Sequence, residues 1–262
     1  MTNKKHKDES KPFKWKHVVG EVILWLVRWY SRYALSYRDL KEIAAERGFE
    51  LDRSTIYRWV QEYAPEINKR LKPYLKSTCD SWKMDETYVK IKGIWHYLYR
   101  AIDKEGNTLD WMLSRTRNKK AAKRFFKKLL GNNHTVDPRV INVDKSPTFP
   151  PALSELQAEK EAPKETKLRA IKYLNNKMEN DHKFTKSKSR YRQWYQSFST
   201  ARNTLDGIET MRMIQKGQIR HVGKNVISGL LISFSILRTI KINTSAVLIS
   251  FQLMLCLKKN DV

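Results

Sequence analysis

Between residues 18 and 33 the apolar side chains Val19, Val22, Ile23, Leu26, Val27 and Tyr30 recur at steps of three and four, which puts them on one face of an α-helix. Ser36 stands three residues before Asp39, a capping-box start, and Leu40, Ile43 and Ala44 continue a buried stripe until Gly48 closes a short second helix. Residues 49–52 make a turn, and residues 55–63 form a third helix that Asp52 or Ser54 caps and Pro65 stops. Three helices with a tight turn between the last two describe a helix-turn-helix, whose final helix can enter a DNA major groove by its N-terminal residues. Arg53, Ser54, Thr55, Tyr57 and Arg58 are the contact candidates, while Ile56, Trp59 and Val60 face inward. A purely structural three-helix bundle produces the same pattern.

Beyond Ser81 the period changes from helical to alternating. Residues 82–92 and 94–102 are rich in β-branched and aromatic side chains, and Lys92-Gly93 between them reads as a tight hairpin turn. A second turn at residues 103–107 leads to a third strand over 108–114. Asn118 caps a helix over 119–130 whose inner face is Ala122, Phe125, Phe126 and Leu129. A fourth strand at 139–143 ends on Asp144, followed by a helix over 151–160, a short strand at 168–172 and a helix from about Asn175. Three strands as antiparallel hairpins, then alternating helices and strands, predict an α/β fold: a five-stranded mixed RNase H-like sheet flanked by helices, preceded by the all-α unit. The resulting division is a basic disordered arm at 1–16, a helix-turn-helix domain at 17–66, a linker at 67–80, a catalytic domain at 81–218 and an unassigned apolar tail at 219–262.

Charge changes the picture more than size does. Fifty-two Lys and Arg against 27 acids leave a formal charge of +25 spread along the chain, which calls for a polyanionic partner. Eight Trp and twelve Tyr interleaved with the cations favour nucleic acid over a membrane surface. Two cysteines, Cys79 and Cys256, lie far apart without metal-ligand spacing, which argues against zinc and a disulfide scaffold and suits a reducing cytosol. The polar, lysine-rich N-terminus carries no secretory signal, and the apolar runs at 226–237 and 246–257 fall short of the about 20 residues a membrane span needs.

Within the sheet pattern, Asp85 on the central first strand and Asp144 at the end of the fourth approach each other, and Glu179, one turn into the last helix, can point at both. Three carboxylates from separate segments supply the hard oxygen ligands that two Mg2+ ions about 4 Å apart require for in-line phosphoryl transfer, with Mn2+ able to substitute. Strand alternation turns either Asp85 or Glu86 away from such a site, and the pattern leaves open which. Asp103 and Asp110 belong to hairpin ends, Asp181 lies on a different helical face from Glu179, and Asp144 alone reads equally as a turn residue.

Several stretches resemble the bacterial insertion-sequence transposases of the IS-six family: 33–46 (YALSYRDLKEIAAE), 54–65 (STIYRWVQEYAP), 84–92 (MDETYVKIK), 95–103 (WHYLYRAID), 143–151 (VDKSPTFPP), 171–182 (IKYLNNKMENDH) and 197–218 (SFSTARNTLDGIETMRMIQKGQ). The resemblance covers residues 20–218 and implies catalysis by Asp85, Asp144 and Glu179, with 34 residues between the last two, which favours Asp85 over Glu86 and Glu179 over Asp181. It also implies a basic residue seven positions after the Glu, here Lys186, at a terminal phosphate. The segment 187–195 (SKSRYRQWY) departs from the family's shorter glycine-containing turn, and nothing after Gln218 matches, so the tail reads as frameshifted sequence.

The resemblance implies a transposase that binds terminal inverted repeats, cleaves and transfers strands into double-stranded target DNA, and assembles as a homodimer or larger synaptic oligomer in the bacterial cytoplasm, at the nucleoid. The competing readings are a helix-turn-helix repressor without chemistry and an RNase H-like nuclease.

Overall fold

In the computed structural model, residues 18, 20–144, 146–170 and 195–220 are described. The arm at 1–16, Glu179, Lys186 and positions 221–262 of the tail lie outside them, as does the helix expected from Asn175.

The chain opens with α1 (Gly20–Arg32), α2 (Tyr37–Ala45) and α3 (Arg53–Leu71). The capping box expected at α2 is present: Asp39 N donates to Ser36 Oγ and Ser36 N donates to Asp39 Oδ2. Asp52, not Ser54, caps α3, its carboxylate accepting from Ser54 N at 2.8 Å. Pro65 does not stop α3, contrary to the sequence expectation; the helix runs six residues further, to Leu71. Proline removes the N–H that would bond the carbonyl four residues earlier. That carbonyl, on Gln61, instead accepts from the Asn203 side chain at 3.2 Å. Tertiary structure therefore replaces the missing donor.

The sheet comprises β1 (Ser81–Ile91), β2 (Ile94–Asp103), β3 (Thr108–Ser114), β4 (Val140–Val143) and β5 (Lys167–Ala170) in the order β3-β2-β1-β4-β5. The first three strands are antiparallel; β1, β4 and β5 are parallel. This is the RNase H-like order, with β1 in the centre. The β1–β2 turn is Lys92-Gly93, both at positive φ (48° and 82°), the conformation a two-residue hairpin demands.

Alternation along β1 sorts its side chains. Trp82 and Met84 enter a core with α4 (Lys119–Leu130) and α5 (Phe149–Ala158), whereas Val89 and Ile91 enter a core with α6 (Phe198–Gln215). The far end of α6 supplies Met211, Met213 and Ile214 to the core of α1–α3, so one helix joins sheet and bundle. Gly207 permits the crossing: a Cβ there would lie 2.5 Å from Ser31 Oγ and 3.0 Å from Ala64 Cβ. Ile219, assigned by sequence to the tail, is 1 % exposed in this same core and bridges Leu75. No helix among the described residues is long and apolar enough to cross a membrane.

Candidate functional site

The face of α3 that sequence reserves for DNA is open. Arg53, Ser54 and Arg58 are exposed and Thr55 and Tyr57 half-buried, while Ile56, Trp59 and Val60 are buried. Arg58 donates to Ser54 Oγ at 3.3 Å, and Tyr57 packs edge-on against Tyr37, which stacks on Tyr30. Two guanidinium groups thus stand at the helix start on a surface fixed by aromatic contacts.

The acids gather on the sheet. The parallel β1–β4 ladder pairs Met84 with Val143. Asp85 follows Met84 within β1 and Asp144 follows Val143 just past the end of β4, so the register brings the two backbone positions near each other at the carboxyl end of β4. Asp85 is half-buried and Asp144 exposed. Asp85 also lies opposite Arg100 on β2, whose guanidinium is fully buried against Glu209 of α6 at 2.8 Å. Two carboxylates at neighbouring positions have the hard oxygen chemistry that a divalent cation takes.

Glu86 points to the other face of β1. Its carboxylate is only 4 % exposed, accepting from Arg117 Nε at 2.8 Å and from Ser146 Oγ at 2.9 and 3.2 Å. Ser146 in turn donates its N–H to the Asp144 carbonyl at 2.6 Å and shares a hydroxyl contact with Thr148 at the start of α5. Hydrogen bonding to Glu86 holds the Arg117 guanidinium above its ordinary pKa. Glu86 therefore ties the loop after Asp144 to β1. Sequence reading missed this role of Glu86, Arg117 and Ser146; a buried acid beside a half-buried one leaves no mark in strand alternation.

One group of three metal-capable side chains clusters among the described residues: Cys79, Asp103 and Glu105. Burial and the neighbouring carboxylates push the Cys79 thiol up, away from the thiolate a metal needs. Asp103 is spent on its hairpin, accepting from the N–H groups of Cys79 and Asn107 and from the Asn107 amide. Asp103 stands at a hairpin end as expected, whereas Asp110 lies within β3, buried against Lys128 at 2.9 Å, Lys72 at 3.4 Å and Asn132 at 3.0 Å.

A cavity of about 780 Å³ opens between α3, β3, α4 and α6. Lys69, Lys72, Arg115, Arg124, Lys128 and Arg202 line it, against a single lining acid, Asp206. The cavity where the helical bundle meets the sheet is thus predominantly basic.

Residues 79–218 match a family model described as a DDE domain, of the IS240 type. The transposase of the insertion sequence-like element IS431mec from Staphylococcus aureus (strain N315) is 42% identical over 210 residues, covering 78% of this chain and 88% of that protein. The transposase of insertion sequence element IS257 in transposon Tn4003, also from Staphylococcus aureus, matches to the same extent. Among solved structures, the HTLV-2 integrase catalytic core domain in complex with magnesium aligns with a TM-score of 0.41 at 16% identity, over 56% of this chain and 98% of that one.

Proposed function

This chain belongs to the IS-six family of insertion-sequence transposases, which carry a DDE domain, and on that premise we propose that it binds the terminal inverted repeats of its own element and joins their 3′ ends to target DNA. The observation that carries the reading is the parallel β1–β4 register, in which Asp85, within the central strand β1, follows the partner of Val143, the last residue of β4 before Asp144. Glu179 completes the catalytic group in this proposal, and Lys186 takes a terminal phosphate.

DDE chemistry uses divalent metal, and the ions proposed here are two Mg2+, with Mn2+ able to substitute. Asp85, Asp144 and Glu179 would hold them, and the bound ions would supply activation of the attacking water or 3′ hydroxyl and charge stabilisation at the leaving oxygen. The chain's own contribution is positional: the β1 ladder holds Asp85, β4 leads into Asp144, and Glu86 fixes the loop behind Asp144.

The N-terminal end of α3 reads sequence in this proposal, by Arg53, Ser54, Thr55, Tyr57 and Arg58, which makes residues 17–66 a helix-turn-helix domain, 67–80 its linker and 81–218 the catalytic domain. The protein works on double-stranded DNA at the bacterial nucleoid, as a homodimer or larger synaptic assembly, because two element ends must be held at once. A repressor without chemistry has no need for adjacent strand-end carboxylates, and a simple nuclease has no need for α3. Purified full chain, a duplex ending in the element's inverted repeat, a supercoiled target and Mg2+ should give covalently joined product, and a duplex with a scrambled end should not. Cleavage of both duplexes without joining would instead identify a nuclease.

A further inference from the structure

Six large hydrophobic side chains are exposed among the described residues, and three of them sit on the β1–β2 hairpin: Tyr88 at 53 %, Ile94 at 66 % and Trp95 at 57 %. Their exposure is a consequence of register. Tyr88 faces Tyr97 and Lys90 faces Trp95 across the ladder, so one face of the hairpin carries an aromatic row. Tyr99, fully buried, lies at its inner end; Tyr97 is half-buried; Tyr88 and Trp95 emerge beyond the core. The rings are organised, with Tyr88 5.4 Å from Tyr97 and 6.0 Å edge-on from Trp95.

Positive charge surrounds them. Lys90 Nζ lies 5.5 Å from the Trp95 ring centroid, Arg117 reaches Tyr88 Oη at 3.4 Å, and Lys92 is exposed at the turn. No acidic residue occurs between Glu86 and Asp103, and Glu86 itself is buried in its pair with Arg117. An exposed aromatic row with cations and no acids matches single-stranded nucleic acid, whose bases stack on rings while its phosphates meet ammonium and guanidinium groups. Paired bases already have both faces covered by their neighbours, so only unpaired ones can use such a platform.

Tyr88 lies three residues beyond Asp85, an odd step that turns its ring to the opposite face of β1 from Asp85, the face of Glu86. We propose that the aromatic face of the β1–β2 hairpin, centred on Tyr88 and Trp95, is a stacking site for unpaired nucleotides at the DNA end the chain holds. The inference rests on the reading of this chain as a DNA transposase.

The test measures binding by the full chain to two probes: a blunt duplex bearing the inverted repeat, and the same duplex with a three-nucleotide single-stranded flank containing 2-aminopurine. The flanked probe should bind about ten-fold more tightly, with 2-aminopurine fluorescence quenched by stacking. Trp95→Ala and Tyr88→Ala should abolish both effects while leaving blunt-duplex affinity and melting temperature unchanged, and Trp95→Phe should retain most of the preference. Preference and quenching that survive in both alanine variants would overturn the inference, as would equal losses on both probes. A change of oligomeric mass in the alanine variants without change in quenching would overturn it in favour of a contact with a second copy of this chain. Failure of the unmodified chain to bind either probe would instead count against the transposase reading itself.

Discussion

Asp85 and Glu86 are neighbours with opposite assignments, because successive side chains of a strand leave on opposite faces. Glu86 is enclosed by Arg117 and Ser146, and Ser146 reaches the carbonyl of Asp144. Replacing Glu86 by Ala leaves two donors without their acceptor and should cost about 1–3 kcal/mol of stability. Because the loop it ties carries Asp144, strand joining should fall about 10–100-fold, as for other groups that orient metal ligands. Thermal melting with a joining assay checks both, and unchanged joining would show that the loop needs no tether. Sequence alternation alone leaves the choice between these acids open, since period two states that they diverge but not which face is which. The contacts that distinguish them come from residues 31 and 60 positions away, out of reach of any local pattern.

At the scale of elements, most boundaries were legible because capping and turn chemistry are local: Ser36 and Asp39 at α2, Asn118 at α4 and Lys92-Gly93 between β1 and β2 all act as their residue types require. Pro65 was misread because its compensation is not local. Asn203→Ala should leave the Gln61 carbonyl without a donor and destabilise the chain by about 1–3 kcal/mol. In a Pro65→Ala background the helix regains its own N–H, so the same replacement should cost far less, and a double-mutant cycle in urea measures the difference. Additive effects would mean the Asn203 contact contributes nothing to α3. Asp110 joins the end of α3 and α4 to β3. Its burial raises the pKa, but Lys128 and Lys72 outweigh burial and hold it below its ordinary value. The stability it contributes is therefore full above about pH 4 and is lost as pH falls through the lowered folded pKa. Asp110→Asn should flatten the acid limb of a melting-temperature profile, whereas an unaltered acid limb would show the pairing to be energetically idle.

For the whole molecule, the +25 charge is legible in composition, but the basic cavity between bundle and sheet is not, because Lys69, Arg115 and Arg202 meet only in the fold. The end of the folded part was also misplaced. Ile219 is buried, and Arg220 N donates to the Tyr74 carbonyl at 2.9 Å, although no family resemblance extends past Gln218. A single apolar residue with a basic one after it offers no periodicity from which to read that. A chain ending at Gln218 should melt about 5–10 °C below one ending at Arg220, from the loss of one buried side chain and its bridge. Equal melting temperatures would return Ile219 to the unstructured side of the boundary.

Asp85, Asp144 and Glu179 are proposed to act as one metal-holding unit on DNA ends bound elsewhere on the chain. Joining of repeat-ended duplex to target in Mg2+, measured beside end binding for Asp85→Asn, Asp144→Asn and Glu179→Gln, tests this most directly. Each replacement should abolish joining, the pairs should be no worse than the singles, and end binding should persist in all. Near-normal joining by any one of the three would contradict the assignment.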